Sequence, residues 1–208
     1  MTEAEWLAAT PYLMMHHIKQ AAPAPARKLR LLAVAWARFL ESQPDYATAR
    51  RVSHLGEEVV EGRKTVRELQ ADQKKRGGSD GDWSIANSVL TADAYIAQAV
   101  GWLMAFSEER GRRAGLDVSG RPAVARSLIL CVLGNPFRPV AFDPPWRTDT
   151  ALSLAQQMYD DKEFSPMPIL ADALQDAGCD SADILDHCRG AGPHARGCWV
   201  VDLVLGKE

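Results

Sequence analysis

The stretch WSIANSVLTADAYIAQAVGWLMAFSEE, residues 83–109, decides the fold class. Its apolar side chains return at alternating intervals of four and three, the spacing of one helical face: Ile85, Val89, Ala92, Ile96, Ala99, Leu103 and Phe106. Such a helix would be about 40 Å long, enough to span a domain. Because its other faces are also largely apolar, we expect a long, central, buried helix. A coiled coil is the alternative, and Asn87, Asp93 and Gln98 disfavour a membrane span.

Helical signals continue on both sides of this segment. Upstream, Thr2 and Glu5 form a capping-box pattern, and residues 29–40 repeat the spacing of an apolar helical face. Downstream, an apolar run stops at Gly134, and Thr148 and Ser165–Pro166 begin two further helices. The last apolar segment, 199–205, is compatible with either a helix or a buried strand. We therefore predict an all-α, bundle-like protein.

The same pass along the chain predicts one domain over residues 1–208. If the domain is subdivided, the charged, glycine-rich segment 74–82 is the expected place, because its composition favours a loop. The chain begins with Met-Thr-Glu-Ala-Glu and lacks the basic and apolar regions of a signal peptide. We therefore expect a cytoplasmic protein with no membrane association.

Composition restricts the classes of function. Hydrophobic residues make up 47% and charged residues 25%, which is typical of soluble globular proteins. The net charge of −3 disfavours nucleic-acid binding, which usually requires a basic excess. An accessory role in contacting nucleic acid is a further alternative, and it depends on one dense basic stretch. Its residues are Arg63, Lys64, Arg67, Lys74, Lys75 and Arg76. Acidic residues are interspersed there, so a solvated face is the default interpretation.

A proline-rich segment offers the first functional hypothesis. Residues 135–146 contain four prolines, which exclude regular structure, together with Phe137 and Trp146. Prolines reduce the entropy lost on binding, and aromatic side chains supply contact area. Common catalytic motifs such as G-x-S-x-G and H-E-x-x-H are absent from the sequence, so we expect a non-enzymatic protein-protein interaction module. In the alternative interpretation, Phe137 and Trp146 cover the core.

The second hypothesis is a zinc-binding domain. Five soft ligands fall within twenty residues, and the fourth cysteine of the chain, Cys131, lies elsewhere: Cys179, His187, Cys188, His194 and Cys198. Cys188, His194 and Cys198 could wrap a tetrahedral ion on a glycine-containing loop, with Cys179 or His187 as the fourth ligand. The sequence lacks the C-x2-C knuckle of common zinc modules. Ordinary buried thiols, a Cys188–Cys198 disulfide and a Cys/His nucleophilic pair are the alternatives.

Several short stretches resemble one bacterial family. They lie at both ends of the chain and are residues 2–8 (TEAEWLA), 28–31 (KLRL), 134–140 (GNPFRPV), 168–178 and 198–207 (CWVVDLVLGK). In these stretches the chain is similar to a family of uncharacterised proteins expanded in planctomycete bacteria, whereas residues 44–120 match nothing in it. The resemblance implies relatives but no activity. Relatives often carry cysteines where this chain has residues 33–38 (AVAWAR), which excludes a shared thiol site there.

Overall fold

A computed structural model of the protein describes residues 1–44, 50–76 and 95–207. Within these ranges the chain forms eleven α-helices and no strand, which confirms the predicted all-α fold class. The α-helices are α1 (Glu3–Ala8), α2 (Pro11–Ala21), α3 (Ala26–Glu41), α4 (Arg50–Val60), α5 (Val66–Arg76), α6 (Ile96–Arg113), α7 (Arg121–Leu133), α8 (Asp149–Asp161), α9 (Met167–Asp176), α10 (Ala182–Arg189) and α11 (Trp199–Leu205). A 3-10 helix covers Pro144–Trp146.

The chain divides into two compact units, an N-terminal unit (Met1–Ile129) and a C-terminal unit (Leu130–Glu208). The boundary falls inside α7. It does not coincide with the segment 74–82, where the sequence suggested a subdivision. Helix α5 continues through Arg76, and residues 77–82 lie outside the described residues. Lysine and arginine are good helix formers, which explains why the basic residues 74–76 extend α5. The division into two compact units does not test whether residues 1–208 form one domain, which stays a prediction.

The N-terminal unit is built around α3 and α6. Helix α3 packs against α4 and α6, and α2 packs against α6. The apolar face of α3 places Leu32 and Trp36 in the core, where both are fully buried. Polar contacts join the same pairs: Arg38 on α3 forms an ion pair with Glu57 on α4, and Lys19 of α2 donates to Gln98 of α6 over 2.7 Å.

Helix α6 corresponds to the second half of the predicted helix 83–109. It runs from Ile96 to Arg113, four residues beyond the predicted end, while residues 83–94 lie outside the described residues. The face with Val100 and Leu103 is buried as expected, but Trp102 and Phe106 keep 56% and 47% of their surface exposed. Within the described part, α6 is therefore an amphipathic helix, buried on one side only.

The C-terminal unit consists of α8, α9, α10 and α11, with the last residues of α7. Helix α8 packs against α9 and α11, and α10 packs against α9 and α11. The ambiguous apolar segment 199–205 is helix α11, which ends at Gly206 in the left-handed conformation. Leu170, Leu174, Ile184, Val200 and Val204 fill the core between the helices. Among the described residues, none of the helices has both the length and the apolar character of a membrane span.

Candidate metal centre

Four side chains of the C-terminal unit converge on one point. Cys131 lies in the last turn of α7, His187 in the last turn of α10, His194 in the loop 190–197, and Cys198 immediately before α11. Each offers one ligand atom, and these four atoms lie within 4.8 Å of one another. Both cysteines are buried and both histidines are half-buried. In the part of the chain that the structure describes, these residues form a Cys/His cluster that could hold a metal ion.

The distances show which ring nitrogens face the thiols. Nε2 of His187 lies 3.1 Å from Sγ of Cys198, and Nδ1 of His194 lies 3.9 Å from Sγ of Cys131. The second nitrogen of His194, Nε2, lies 3.3 Å from the carbonyl oxygen of Gly190, within hydrogen-bond reach. A ring nitrogen bound to a backbone carbonyl fixes the tautomer and leaves the other nitrogen as a ligand. His187 thus presents Nε2 to the cluster, and His194 presents Nδ1.

Local structure places these four residues. Gly134 follows α7 in the left-handed conformation, φ 71°, so the chain turns away directly after the turn that carries Cys131. Cys198 is the N-cap of α11, but its side chain makes no capping hydrogen bond. Its sulfur is instead within hydrogen-bond distance of His187. The ring of His187 packs against those of His194 and Trp199, with centroids at 5.0 Å and 5.3 Å.

Gly192 gives the loop 190–197 the path that His194 requires. Its φ is +79°, and a Cβ atom at this position would lie 2.9 Å from the backbone nitrogen of His194 and 3.3 Å from Cδ2 of its ring. Residues other than glycine are strained at such φ values. Only glycine therefore combines this backbone conformation with the close approach of His194.

The electrostatics favour a charged thiolate at Cys198. Burial alone would raise its pKa, but hydrogen bonds with Cys131, His187 and His194, together with the charge of His187, hold the pKa well below its ordinary value. For His194, burial lowers the pKa, whereas the hydrogen bond and charge of Cys198 and the Gly190 carbonyl raise it, so the net direction is upward. Both shifts are in the direction that favours a thiolate beside an imidazolium.

The other two predicted ligands, Cys179 and Cys188, do not belong to this group of four. Both are buried, and burial is the main cause that raises the pKa of each thiol. Cys188 neighbours His187 on α10, and the side chains of consecutive helical residues leave the helix about 100° apart. All four cysteines are free thiols, and the alternative Cys188–Cys198 disulfide is not formed. The fourth member of the group is Cys131, which was not predicted as a ligand because it is distant in sequence from the other three.

The proline-rich segment belongs to the C-terminal unit and packs against its core. Trp146 is half-buried, packs against the core, and meets the ring of Phe142 edge-on at 5.5 Å. Arg147 follows it and donates to the backbone carbonyls of Leu203 and Val204, each over 2.8 Å. Phe137 is also half-buried. This placement supports a core role for Trp146, and the interaction role of Phe137 and Trp146 stays a prediction.

Arg63, the first residue of the basic stretch 63–76, does not support a nucleic-acid contact. Arg63 is paired with two carboxylates: it contacts Glu58 at 2.6 Å and also forms an ion pair with Glu61. These pairs offset its charge locally, as expected for a solvated face with mixed charges.

Comparison of the chain with known protein families, with curated protein sequences and with solved structures finds no match. The planctomycete resemblance therefore stays a prediction.

Proposed function

We propose that the C-terminal unit is a zinc-binding domain in which Cys131, His187, His194 and Cys198 hold one Zn²⁺ ion. The observation that carries the proposal is the convergence of four ligand atoms within 4.8 Å. Two sulfur and two nitrogen donors form the Cys₂His₂ set that zinc binds in structural sites. Calcium and magnesium prefer oxygen ligands, which this group does not offer.

Two distances between ligand atoms lie close to those around a tetrahedral ion. Bonds of about 2.3 Å to sulfur and about 2.0 Å to nitrogen give a tetrahedron with edges of roughly 3.3–3.8 Å. The two distances given above, 3.1 Å and 3.9 Å, bracket that range closely. Side-chain shifts of a few tenths of an ångström would bring these two pairs to the zinc geometry.

Protonation distinguishes Cys198 from Cys179 and Cys188. Zinc binds the thiolate form of cysteine, and the pKa of Cys198 is lowered toward that form. Cys179 and Cys188 have raised pKa values and keep their protons, so they are weaker competitors for the ion. Free thiols also suit the reducing cytoplasm that we expect for this protein.

The role proposed for the ion is structural. Catalytic zinc sites keep a coordination position for water or substrate, whereas four protein ligands close the tetrahedron. The ion would join the end of α7, the end of α10, the loop 190–197 and the start of α11. This arrangement agrees with a non-enzymatic protein, and it makes zinc a part of the folded C-terminal unit.

The test is elemental analysis and native mass spectrometry of the full chain, purified without chelator or added metal. We expect one zinc per chain. Replacement of zinc by Co²⁺ should give the absorption of a tetrahedral centre with thiolate-to-cobalt charge transfer. Cys131→Ser should weaken metal binding by more than about 100-fold, because the loss of outer partners alone weakens it about 10- to 100-fold.

Cys179→Ser is the matched control for Cys131→Ser, since both side chains are buried, at 3% and 2% exposure. It should keep full zinc content. A folded, metal-free wild-type protein would refute the proposal, and so would a Cys131→Ser variant that retains zinc while Cys179→Ser loses it.

A further inference from the structure

Two of the four proposed zinc ligands are thiols that lie side by side. The Sγ atoms of Cys131 and Cys198 are within 4.8 Å of each other, and both thiols are free. A disulfide needs a sulfur-sulfur bond of about 2.0 Å, so the two atoms would have to approach by less than about 3 Å. Both residues belong to the C-terminal unit, and the bond can therefore form within that unit.

The position of Cys198 in the chain leaves its sulfur available for this approach. Cys198 is the N-cap of α11, but its side chain makes no capping hydrogen bond, so a turn toward Cys131 costs the helix none. The residue before it is Gly197, whose φ of +93° is a conformation that glycine adopts readily. The backbone next to Cys198 can thus adjust more easily than the interior of a helix.

The group of four ligands lies just below the protein surface. Cys131 and Cys198 are buried, at 2% and 0% exposure, but His187 and His194 are half-buried. Residues 190–193, in the loop that carries His194, are exposed. A small oxidant such as hydrogen peroxide therefore has only the histidine side chains and this loop to pass.

The other two cysteines of the chain provide an internal comparison. Cys179 and Cys188 belong to the same apolar core as Cys131 and Cys198, and they are buried to the same degree, at 3% and 0% exposure. Their sulfurs, however, are not in the group of ligand atoms that lie within 4.8 Å of one another. Burial is common to all four cysteines, whereas the close approach within the ligand group pairs Cys131 with Cys198.

From this arrangement we infer that Cys131 and Cys198 form an oxidation site, at which a hydroperoxide joins the two sulfurs in a disulfide and releases the zinc ion. The inference rests on the proposed zinc site and adds its regulation. It also agrees with a reducing compartment, where disulfides are usually transient and often have a redox-sensing role.

The reaction has two steps, and the peroxide takes up both electrons. Zinc holds the two cysteines as thiolates. One thiolate attacks an oxygen of the peroxide, an S–O bond forms, the O–O bond breaks, and hydroxide leaves. The second thiolate attacks the sulfenic sulfur, the S–S bond forms, and the S–O bond breaks. With two protons from solvent, the two thiolates and one hydrogen peroxide give one disulfide and two waters.

The disulfide removes half of the coordination sphere. A zinc ion in a structural site needs four ligands, and only His187 and His194 would be left, so the ion leaves. The end of α7 and the start of α11 would then be joined by the disulfide. The end of α10 and the loop 190–197 would lose their attachment to both, which confines the change to the part of the unit that carries the histidines.

The test uses the full chain, shown first to contain one zinc per chain and then treated with an excess of hydrogen peroxide. A chromogenic chelator follows the released zinc, and free thiols are alkylated before digestion with trypsin. Trypsin separates the thiols on three peptides: Cys131 on 127–147, Cys198 on 197–207, and Cys179 together with Cys188 on 163–189. We expect zinc release in step with a link between peptides 127–147 and 197–207, one link for each ion. A phosphine reductant should restore zinc binding.

Cys188→Ser is the control, because Cys188 is as deeply buried as Cys198 but lies outside the ligand group. It should release zinc at the wild-type rate. The inference is wrong, and the zinc site stands, if zinc-loaded protein keeps its ion under peroxide, if peptide 163–189 is linked instead of 127–147, or if Cys188→Ser abolishes the release. Protein without zinc before the treatment would overturn the zinc site, and this inference with it.

Discussion

At the scale of single residues, burial alone does not decide the chemistry of a cysteine in this chain. Cys188 and Cys198 are both fully buried, yet their pKa values move in opposite directions. Burial dominates at Cys188, whereas at Cys198 the hydrogen bonds from three neighbouring side chains outweigh it. The groups that surround each sulfur, rather than its burial, separate a proposed metal ligand from an ordinary core residue.

Gly192→Ala tests how narrowly the loop positions His194. The new Cβ atom would lie 2.9 Å from the backbone nitrogen of His194, so the loop must shift and move a proposed ligand. We expect the zinc affinity to fall by about tenfold or more, as for other changes that disturb ligand orientation. Chelator competition measures this affinity.

Gly178→Ala is the matched control for this substitution. Gly178 also has a positive φ, +91°, so alanine would be strained there as it would be at position 192. However, no atom lies within 4 Å of the position where its Cβ would be. It should lower the free energy of unfolding without changing the zinc affinity of the folded protein. Equal zinc affinities in both glycine variants would show that the approach of Gly192 to His194 has no influence on the site.

Three of the four clustered residues were predictable from sequence because they are close together. His187 and Cys198 are 11 positions apart, and His194 lies between them. Cys131 was not predictable in this way, since it is 63 positions from His194 and occurs in an apolar run typical of a buried helix. Helical phase could have favoured one of His187 and Cys188 over the pair, because the side chains of adjacent helical residues diverge by about 100°.

At the scale of elements, most helices follow from capping residues and apolar spacing. Thr2 caps α1 with both bonds of the capping box, and Thr148 caps α8, as their sequence patterns predicted. Segment 199–205 could not be assigned from sequence, because a buried helix and a buried strand have the same apolar composition. Its helical state depends on its packing against α8 and α10.

Arg147→Ala tests how the proline-rich segment is attached to α11. Arg147 caps the C-terminal carbonyls of α11 with two hydrogen bonds of 2.8 Å. Its loss should lower the free energy of unfolding by about 1 kcal/mol, the usual net contribution of such bonds at a partly exposed site. Denaturant unfolding measures the change.

Arg138→Ala, in the same segment, is the comparison for Arg147→Ala. Arg138 contacts Asp183 at 3.5 Å, and both side chains are about half exposed, which typically contributes little stability. A larger loss of stability for Arg138→Ala than for Arg147→Ala would contradict the proposed attachment.

At the scale of the whole molecule, the division into two units had no signal in the sequence. Domain boundaries are usually expected in polar or glycine-rich linkers. Here the boundary between Ile129 and Leu130 falls inside the apolar run of α7, where the helical pattern is uninterrupted. The linker-like composition of residues 74–82 therefore led to a predicted subdivision there and not within α7.

Removal of zinc should affect the two units differently. All four proposed ligands belong to the C-terminal unit, and a bound ion stabilises only the folded state that contains its site. Hydrogen exchange with mass spectrometry, with and without a chelator, should show lost protection in α8–α11 and unchanged protection in α3. Unchanged exchange throughout, in protein shown to have lost its zinc, would mean that the ion does not support the fold.

The long separation between Cys131 and the other three ligands has a consequence for the order of events during folding. In a chain that has not yet folded, the ligands 187, 194 and 198 lie close together, beside the further thiols of Cys179 and Cys188, whereas Cys131 is distant. The fourth bond requires closure of a long loop, and loop closure of this kind slows folding. The ion would therefore bind weakly at first, and tightly only when the end of α7 brings Cys131 into the site. In kinetic terms, full coordination marks the completion of the native topology, whereas in a short zinc finger it marks the beginning.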